Sequence, residues 1–287
     1  MAADTEAIDT LQLGLERAIC CWRIGDVIVD PGPASRLPTV LDALGGRVPQ
    51  AVLLTHIHLD HAAATGALAR MYPDMQVYVH ELGARHMVDP SRLIASATRL
   101  YGTMMDTLWG TFEPVPEDRL HVLTGGETLS FDGVGNFEVA YTPGHAKHHV
   151  SYLHDDGDAF VGDVAGVQIT PGSPIVPPSP PPDIDIDLWQ RSIGLVSAWE
   201  PERLCFTHFG SSDTPADHLS ELSDRLGRWG AVARDNDLDG WKEHIFAELR
   251  AAAESEEQFN TYAMATPFDQ SYAGLRRYWD KLADSSA

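Results

Sequence analysis

The segment His56-Ile57-His58-Leu59-Asp60-His61 constrains this chain more than any other. Three imidazoles and a carboxylate fall within six residues, directly after the apolar run Ala51-Val52-Leu53-Leu54. Neutral imidazoles and carboxylates suit Zn²⁺ and other borderline divalent ions. Neither core packing nor a solvated surface calls for so many ligands in so short a stretch. The string reads as a metal site, and the fold has to bring the remaining ligands to it.

The spacing has a geometric meaning. An extended segment puts residues i and i+2 on one side, so His56 and His58 point together as the strand ends. Asp60 and His61 follow at the turn, where Ala62–Met71 reads as a helix, and the bend aims them at a second point beside the first. One tetrahedral ion would be crowded by all four groups plus a reactive water. Two adjacent ions would not, and pairs roughly 3.5–4 Å apart recur in catalysis.

Further ligands appear downstream in a shared setting. Phe137-Glu138-Val139-Ala140-Tyr141 runs into Thr142-Pro143-Gly144-His145. Asp158-Ala159-Phe160-Val161 runs into Gly162-Asp163, and Arg203-Leu204-Cys205-Phe206 into Thr207-His208. Each is an apolar, β-prone run ending at a Gly- or Pro-marked turn with one potential ligand. Strand ends converging at one sheet edge gather groups that are distant in sequence.

This set, His56-X-His58-X-Asp60-His61, then His145 in Thr-Pro-Gly-His, Asp163 after Gly162, and His208, resembles the metallo-β-lactamase-fold hydrolases. The match runs through roughly residues 15–215. The resemblance implies a four-layer αββα sandwich with metals at one edge, expected over residues 1–215; the residue pattern beyond it reads as a helical extension over 216–287 packed on that domain. It implies His56, His58 and His145 on a first metal, Asp60, His61 and His208 on a second, and Asp163 bridging them. Asp30, in Val29-Asp30-Pro31-Gly32, matches an acidic position that orients ligands by hydrogen bonds. Zinc is the expected ion, with iron or manganese as alternatives.

The site suggests a reaction. Two cations lower the pKa of a shared water enough to hold hydroxide near neutral pH. That hydroxide attacks a carbonyl carbon, and Asp60, a ligand and the nearest candidate for moving the proton, is the expected catalytic residue. The segment Thr142–His145 is reminiscent of hydroxyacylglutathione hydrolase (glyoxalase II), but Ala146-Lys147-His148-His149 departs from that pattern. No basic cluster suits the glutathione carboxylates. A small-molecule thioester or lactone is the favoured substrate, ahead of phosphoesters and β-lactams. Two other classes compete: a mononuclear iron persulfide dioxygenase sharing the fold and the early His string, and a non-catalytic metal-binding scaffold.

Bulk properties narrow the field. The formal net charge is −22, which two divalent ions would soften only to −18, and such a field repels nucleic acid. No apolar run approaches the ~20 residues needed to cross a bilayer. The acidic stretch Met1–Asp9 lacks a signal pattern, so a cytoplasmic protein without membrane attachment is expected. Cys20, Cys21 and Cys205 form no disulfide framework and read as small buried apolar residues.

The remaining segments organise around this site. Two short strands are expected around Gly25-Asp26 within 15–30, a helix at Leu37–Leu44, a strand at Gln76–His80, and strands at 120–123, 127–131, 137–141, 150–154 and 159–161. Residues 90–116 form a mostly helical insertion, read either as a helix packed on the sandwich or as an apolar lid over the metals. Pro171–Asp187 contains Pro177-Pro178-Ser179-Pro180-Pro181-Pro182 and reads as a stiff loop beside the site. Ala216–Ala233, Gly240–Ala253 and Asp269–Leu282 read as helices for packing or for a homodimer. His148 and His149 read as supports rather than ligands, with His149 placed behind a ligand at the start of the next strand.

Overall fold

Alternation along the strands sets the layers of this protein, here described from a computed structural model covering residues 4–253 and 255–285. The first three residues of the acidic N-terminal stretch lie outside the described residues. In β2 (Cys20–Ile24), Cys20, Trp22 and Ile24 join the core between two sheets, while Cys21 joins the core on the other face. Val27 and Val29 of β3 (Val27–Val29) and Ala51 and Leu53 of β4 (Ala51–Leu53) repeat the inward set, whereas Ile28 and Val52 face outward. A period of two with both faces apolar is what a sheet buried on both sides requires.

The first sheet has the order β1–β2–β3–β4–β5–β6, with β1 at Thr5–Asp9, β5 at Gln76–His80 and β6 at Leu120–Leu123. Strands β3 to β6 run parallel, and β1 to β3 antiparallel. The second sheet contains β7 (Thr128–Phe131), β8 (Gly135–Tyr141), β9 (Val150–His154), β10 (Asp158–Phe160), β11 (Arg203–Phe206) and β12 (Gly210–Ser212), in sequential spatial order. Phe137, Val139, Tyr152, Phe160 and Cys205 meet the inward residues of the first sheet.

Helices cover both outer faces. Against the first sheet lie α1 (Leu37–Leu44), α2 (Leu59–Ala62), α3 (Thr65–Met71) and α4 (Glu81–Val88), through Val40, Leu44, Leu68 and Met87. Against the second lie α7 (Ile186–Ala198), α8 (Pro215–Asp235), α9 (Leu238–Ala252), α10 (Glu256–Ala265) and α11 (Phe268–Ser285). Trp189, Leu222, Trp229, Trp241, Tyr262 and Leu275 fill that layer with Leu204 and Phe206 of β11. The result is the expected four-layer αββα sandwich followed by helices. All three cysteines are buried and free. Among the described residues no helix is long and apolar enough to cross a membrane.

Several elements differ from the expectation. The helix expected at Ala62–Met71 divides into α2 and α3, and α2 begins inside the histidine motif with His58 at its N-terminal boundary. The 90–116 insertion is two helices, α5 (Ser91–Tyr101) and α6 (Met105–Leu108), joined by a 3-10 turn over Gly102–Met104. Leu93, Ile94, Ala97 and Met105 pack on the core under the first sheet, while Leu100 and Met104 stay exposed. The insertion is therefore packed on the sandwich along one face and open along the other.

Candidate metal centre

Each candidate ligand sits just past a strand end, at one edge of the sandwich. β4 delivers His56 and His58, and α2 carries Asp60 and His61. β8 leads to His145, β10 to Asp163 in a 3-10 turn over Gly162–Ala165, and β11 to His208. Gly162 adopts φ +47°, and a Cβ there would come within 2.5 Å of Thr55 Oγ1 and 2.9 Å of His149 Nε2. Only glycine makes this turn, which carries Asp163 into the centre.

The seven side chains form two adjoining clusters. In one, donor atoms of His56, His58, His145 and Asp163 all lie within 4.8 Å of one another; in the other, those of Asp60, His61 and His208 do. His58 Nδ1 lies 3.0 Å from His56 Nε2 and 3.1 Å from His145 Nε2. Asp163 Oδ2 lies 3.2 Å from His145 Nε2, while its Oδ1 lies 3.3 Å from His61 Nε2 and 3.6 Å from His208 Nε2. Asp60 Oδ2 lies 3.4 Å from His208 Nε2. One carboxylate thus presents one oxygen to each cluster.

Hydrogen bonds on the far side of each ring fix which nitrogen faces the centre. His145 Nδ1–H donates to Pro178 O at 2.8 Å and His208 Nδ1–H to Ala18 O at 2.7 Å. His61 Nδ1–H donates to Asp30 Oδ2 at 2.8 Å. Thr55 Oγ1 donates to Asp30 Oδ2 at 2.6 Å, which leaves it to accept from His56 Nδ1–H at 3.1 Å. Four rings therefore offer Nε2 lone pairs inward, and His58 offers Nδ1. Asp30 is fully buried and also accepts from Thr55 N–H at 2.8 Å and Thr207 Oγ1–H at 3.1 Å. It ties the ends of β3, β4 and β11 together behind the centre.

His149 lies just before β9, beside His56, and makes no hydrogen bond to a candidate ligand among the described residues. Its ring stacks on His56 with centroids 5.0 Å apart, and its Nδ1 meets Thr142 Oγ1 at 2.9 Å. His148 Nδ1 instead accepts from Ile57 N–H at 3.4 Å. Both imidazoles are held well below their usual pKa by burial and by neighbouring histidines.

The electrostatics match a place for cations. Burial and mutual repulsion keep His56 well below the usual imidazole value, and burial with His145 brings His58 down to about 4. These rings stay neutral, as ligands must. Burial opposes charge on His61, yet Asp163, Asp60 and Asp30 together raise its pKa well above the usual value. The carboxylates draw a proton onto His61 where a cation would neutralise them. Buried His61 Nε2 and Asp163 Oδ1 face each other at 3.3 Å, yet neither has a hydrogen bond of good geometry among the described residues. Poorly paired polar groups are costly in a buried site, and a cation between them removes that cost. The residues present therefore fit a metal site.

Sequence reasoning missed several contributors. Thr55 and Thr207 each precede a candidate ligand histidine, and that repeated Thr-His pairing was the available signal. The backbone carbonyls of Ala18 and Pro178 carry none. Tyr101, in the 90–116 insertion, donates to Gln270 Oε1 of α11 at 3.4 Å. Burial and the charge of Asp60 push its phenol up to about 12, so insertion and C-terminal helix meet within reach of the centre's field.

Comparison with known proteins agrees with this architecture. The metallo-beta-lactamase superfamily profile matches residues 24–208, and the chain belongs to that superfamily. It is 27% identical over 211 residues to the metallo-beta-lactamase fold-containing protein ST1585 of Sulfurisphaera tokodaii, covering 71% of this chain and 77% of that one. It is 29% identical over 147 residues to a hydroxyacylglutathione hydrolase of Yersinia enterocolitica, covering 50% of this chain and only 45% of that relative's length. The solved structure of ST1585 superposes with a TM-score of 0.71 at 21% identity, covering 96% of this chain and 99% of that chain. The metallo-beta-lactamase family protein TTHA1429 from Thermus thermophilus gives 0.67 at 17% identity, covering 99% of this chain and 94% of that chain. At these identities the two structures show the fold alone.

Proposed function

We propose that this chain is a binuclear metal-dependent hydrolase acting on a carbonyl ester-type bond, with a thioester or lactone as substrate. The observation that carries the reading is Asp163, whose two oxygens face different clusters. Bound there, two divalent cations would supply Lewis acidity and a water acidic enough to be nucleophilic near neutral pH. His56, His58 and His145 would hold one ion and Asp60, His61 and His208 the other, with Asp163 shared. The nitrogen and oxygen donor set suits zinc and also accommodates iron or manganese.

The chain's own groups do the rest. Asp30 and the Ala18 and Pro178 carbonyls keep the imidazoles in one tautomer. The Asp60 side chain is 22% exposed, the most open carboxylate of the centre. Burial works against its charge, but His61 and His208 outweigh that and hold the carboxyl down to about 2. It is therefore an ionised acceptor. Its Oδ2 faces His61 and His208, which leaves Oδ1 to accept a hydrogen bond from, and so orient, the attacking water. The relatives named hydroxyacylglutathione hydrolase support a thioester-type carbonyl. The net charge of −22 favours a substrate without glutathione's carboxylates.

The second cluster supports two ions over the single iron of a persulfide dioxygenase. The test is a panel of esters, thioesters, lactones and phosphodiesters on metal-loaded protein, with oxygen uptake followed on a thiol persulfide. Thioester or lactone turnover that a chelator abolishes is expected. Oxygen uptake with persulfide, or no turnover at full metal loading, would overturn the reading.

A further inference from the structure

The proline segment 177–182 runs between His145 and the C-terminal helix. On one side, buried His145 Nδ1–H donates to Pro178 O at 2.8 Å. On the other, the fully buried Ser179 donates its N–H to Ser271 Oγ of α11 at 3.4 Å, while its Oγ donates back to Pro177 O at 3.0 Å. Helix α11 approaches this closely because residue 274 is glycine. A Cβ there would overlap Ser179 O and lie 3.0 Å from the Pro180 carbonyl carbon and 3.0 Å from Ile184 Cγ1. Glycine inside a helix is destabilising relative to alanine, so this position gives up helix stability for contact.

We propose that α11 is a positioning element of the first cluster: through Ser271 and Gly274 it seats the 177–182 segment so that Pro178 O holds His145 with Nε2 facing the centre. This rests on the reading of the cluster as a metal site. An outer hydrogen-bond partner sets both the tautomer and the direction of a ligand imidazole, and its loss typically weakens metal binding about 10–100-fold. The second cluster takes its outer hydrogen bonds elsewhere and meets this device only through the shared Asp163. His208 takes its outer partner from Ala18 and His61 from Asp30, neither of which lies on the segment. Through the 177–182 segment, helix α11 thus acts directly on the first cluster.

The test uses the full chain and long-range ¹H–¹⁵N NMR of the imidazoles, first metal-free and then along a zinc titration. His145 reports the first cluster and His208 the second. In wild type, His145 is the Nδ1–H tautomer. Gly274→Ala is expected to give mixed or mobile His145 tautomers and about tenfold or greater loss of zinc affinity at the His145 signal, with a smaller loss at His208. Ser271→Ala moves in the same direction by less, and carries the test should Gly274→Ala not fold. Gly194→Ala, on α7 with open space around its would-be Cβ, leaves both signals as in wild type. A wild-type His145 tautomer and zinc affinity in Gly274→Ala and Ser271→Ala overturns the proposal, as does equal loss at both clusters. Failure of wild type to bind zinc overturns the metal reading, and the metal-free His145 tautomer then decides the positioning claim alone.

Discussion

Asp30 accepts the Nδ1 proton of His61 at 2.8 Å, and the same carboxylate gathers Thr55 and Thr207. Replacing it leaves an imidazole, a backbone N–H and two hydroxyls buried without their acceptor. Asp30→Ala is expected to lose about 4 kcal/mol or more of stability, at roughly 1–3 kcal/mol for each of the four unpaired groups, together with about 10–100-fold of metal affinity. Urea unfolding and metal competition measure the two effects. Wild-type values in both would remove Asp30 from its place behind the centre.

Tyr101 reaches from the insertion to Gln270 at the start of α11. Tyr101→Phe keeps the ring contact with Trp109, whose centroid lies 5.2 Å away, and deletes only the hydroxyl. Stability should change by no more than about 1 kcal/mol. If the junction borders the substrate, KM for the preferred thioester or lactone should rise about tenfold, equivalent to ~1.4 kcal/mol. Steady-state kinetics with KM unchanged would place the junction outside the substrate's path.

The metal-free protein should lose stability in acid in a particular window. An unfolded chain protonates its histidines near pH 6.5. Folded His56, His145, His148 and His149 take protons only at lower pH, and His58 only at about 4. The unfolded state therefore binds more protons between about 6.5 and 4, and stability falls as pH falls through that range. His61 and His208, with raised values, carry protons in both states there and add no slope. Each imidazole contributes on the order of 1.4 kcal/mol per pH unit. A urea midpoint independent of pH from 6.5 to 4.5 would show that the centre is open to water rather than buried.

The histidine motif, His145, Asp163 and His208 were legible because each is a ligand-type residue at a strand end marked by a turn. Their partners were less so. Pro178 and Ala18 act through backbone carbonyls, which leave no trace in residue identity. Strand β1, Thr5-Glu6-Ala7-Ile8-Asp9, buries only Ile8; as an edge strand it pairs through its backbone and shows no apolar alternation. Helix α7 follows directly on the proline-rich loop, and its N-cap Asp185, accepting from Leu188 N–H at 3.0 Å, lies within what reads as that loop. Helix α10 packs through Gln258, Thr261 and Tyr262 as much as through apolar residues, which blurs its periodicity. The contact of Gly274 with Ser179 needs tertiary structure, since a helix-interior glycine alone suggests only a weak helix.

The central claim is two cations sharing Asp163. Its most direct measurement is metal content per chain, by elemental analysis after equilibrium dialysis against dilute zinc, for wild type beside Asp163→Ala. The account predicts close to two ions in wild type, and in the variant the loss of at least one with nearly all turnover. Two tightly held ions with full activity in Asp163→Ala, or no bound ion in wild type, would contradict it.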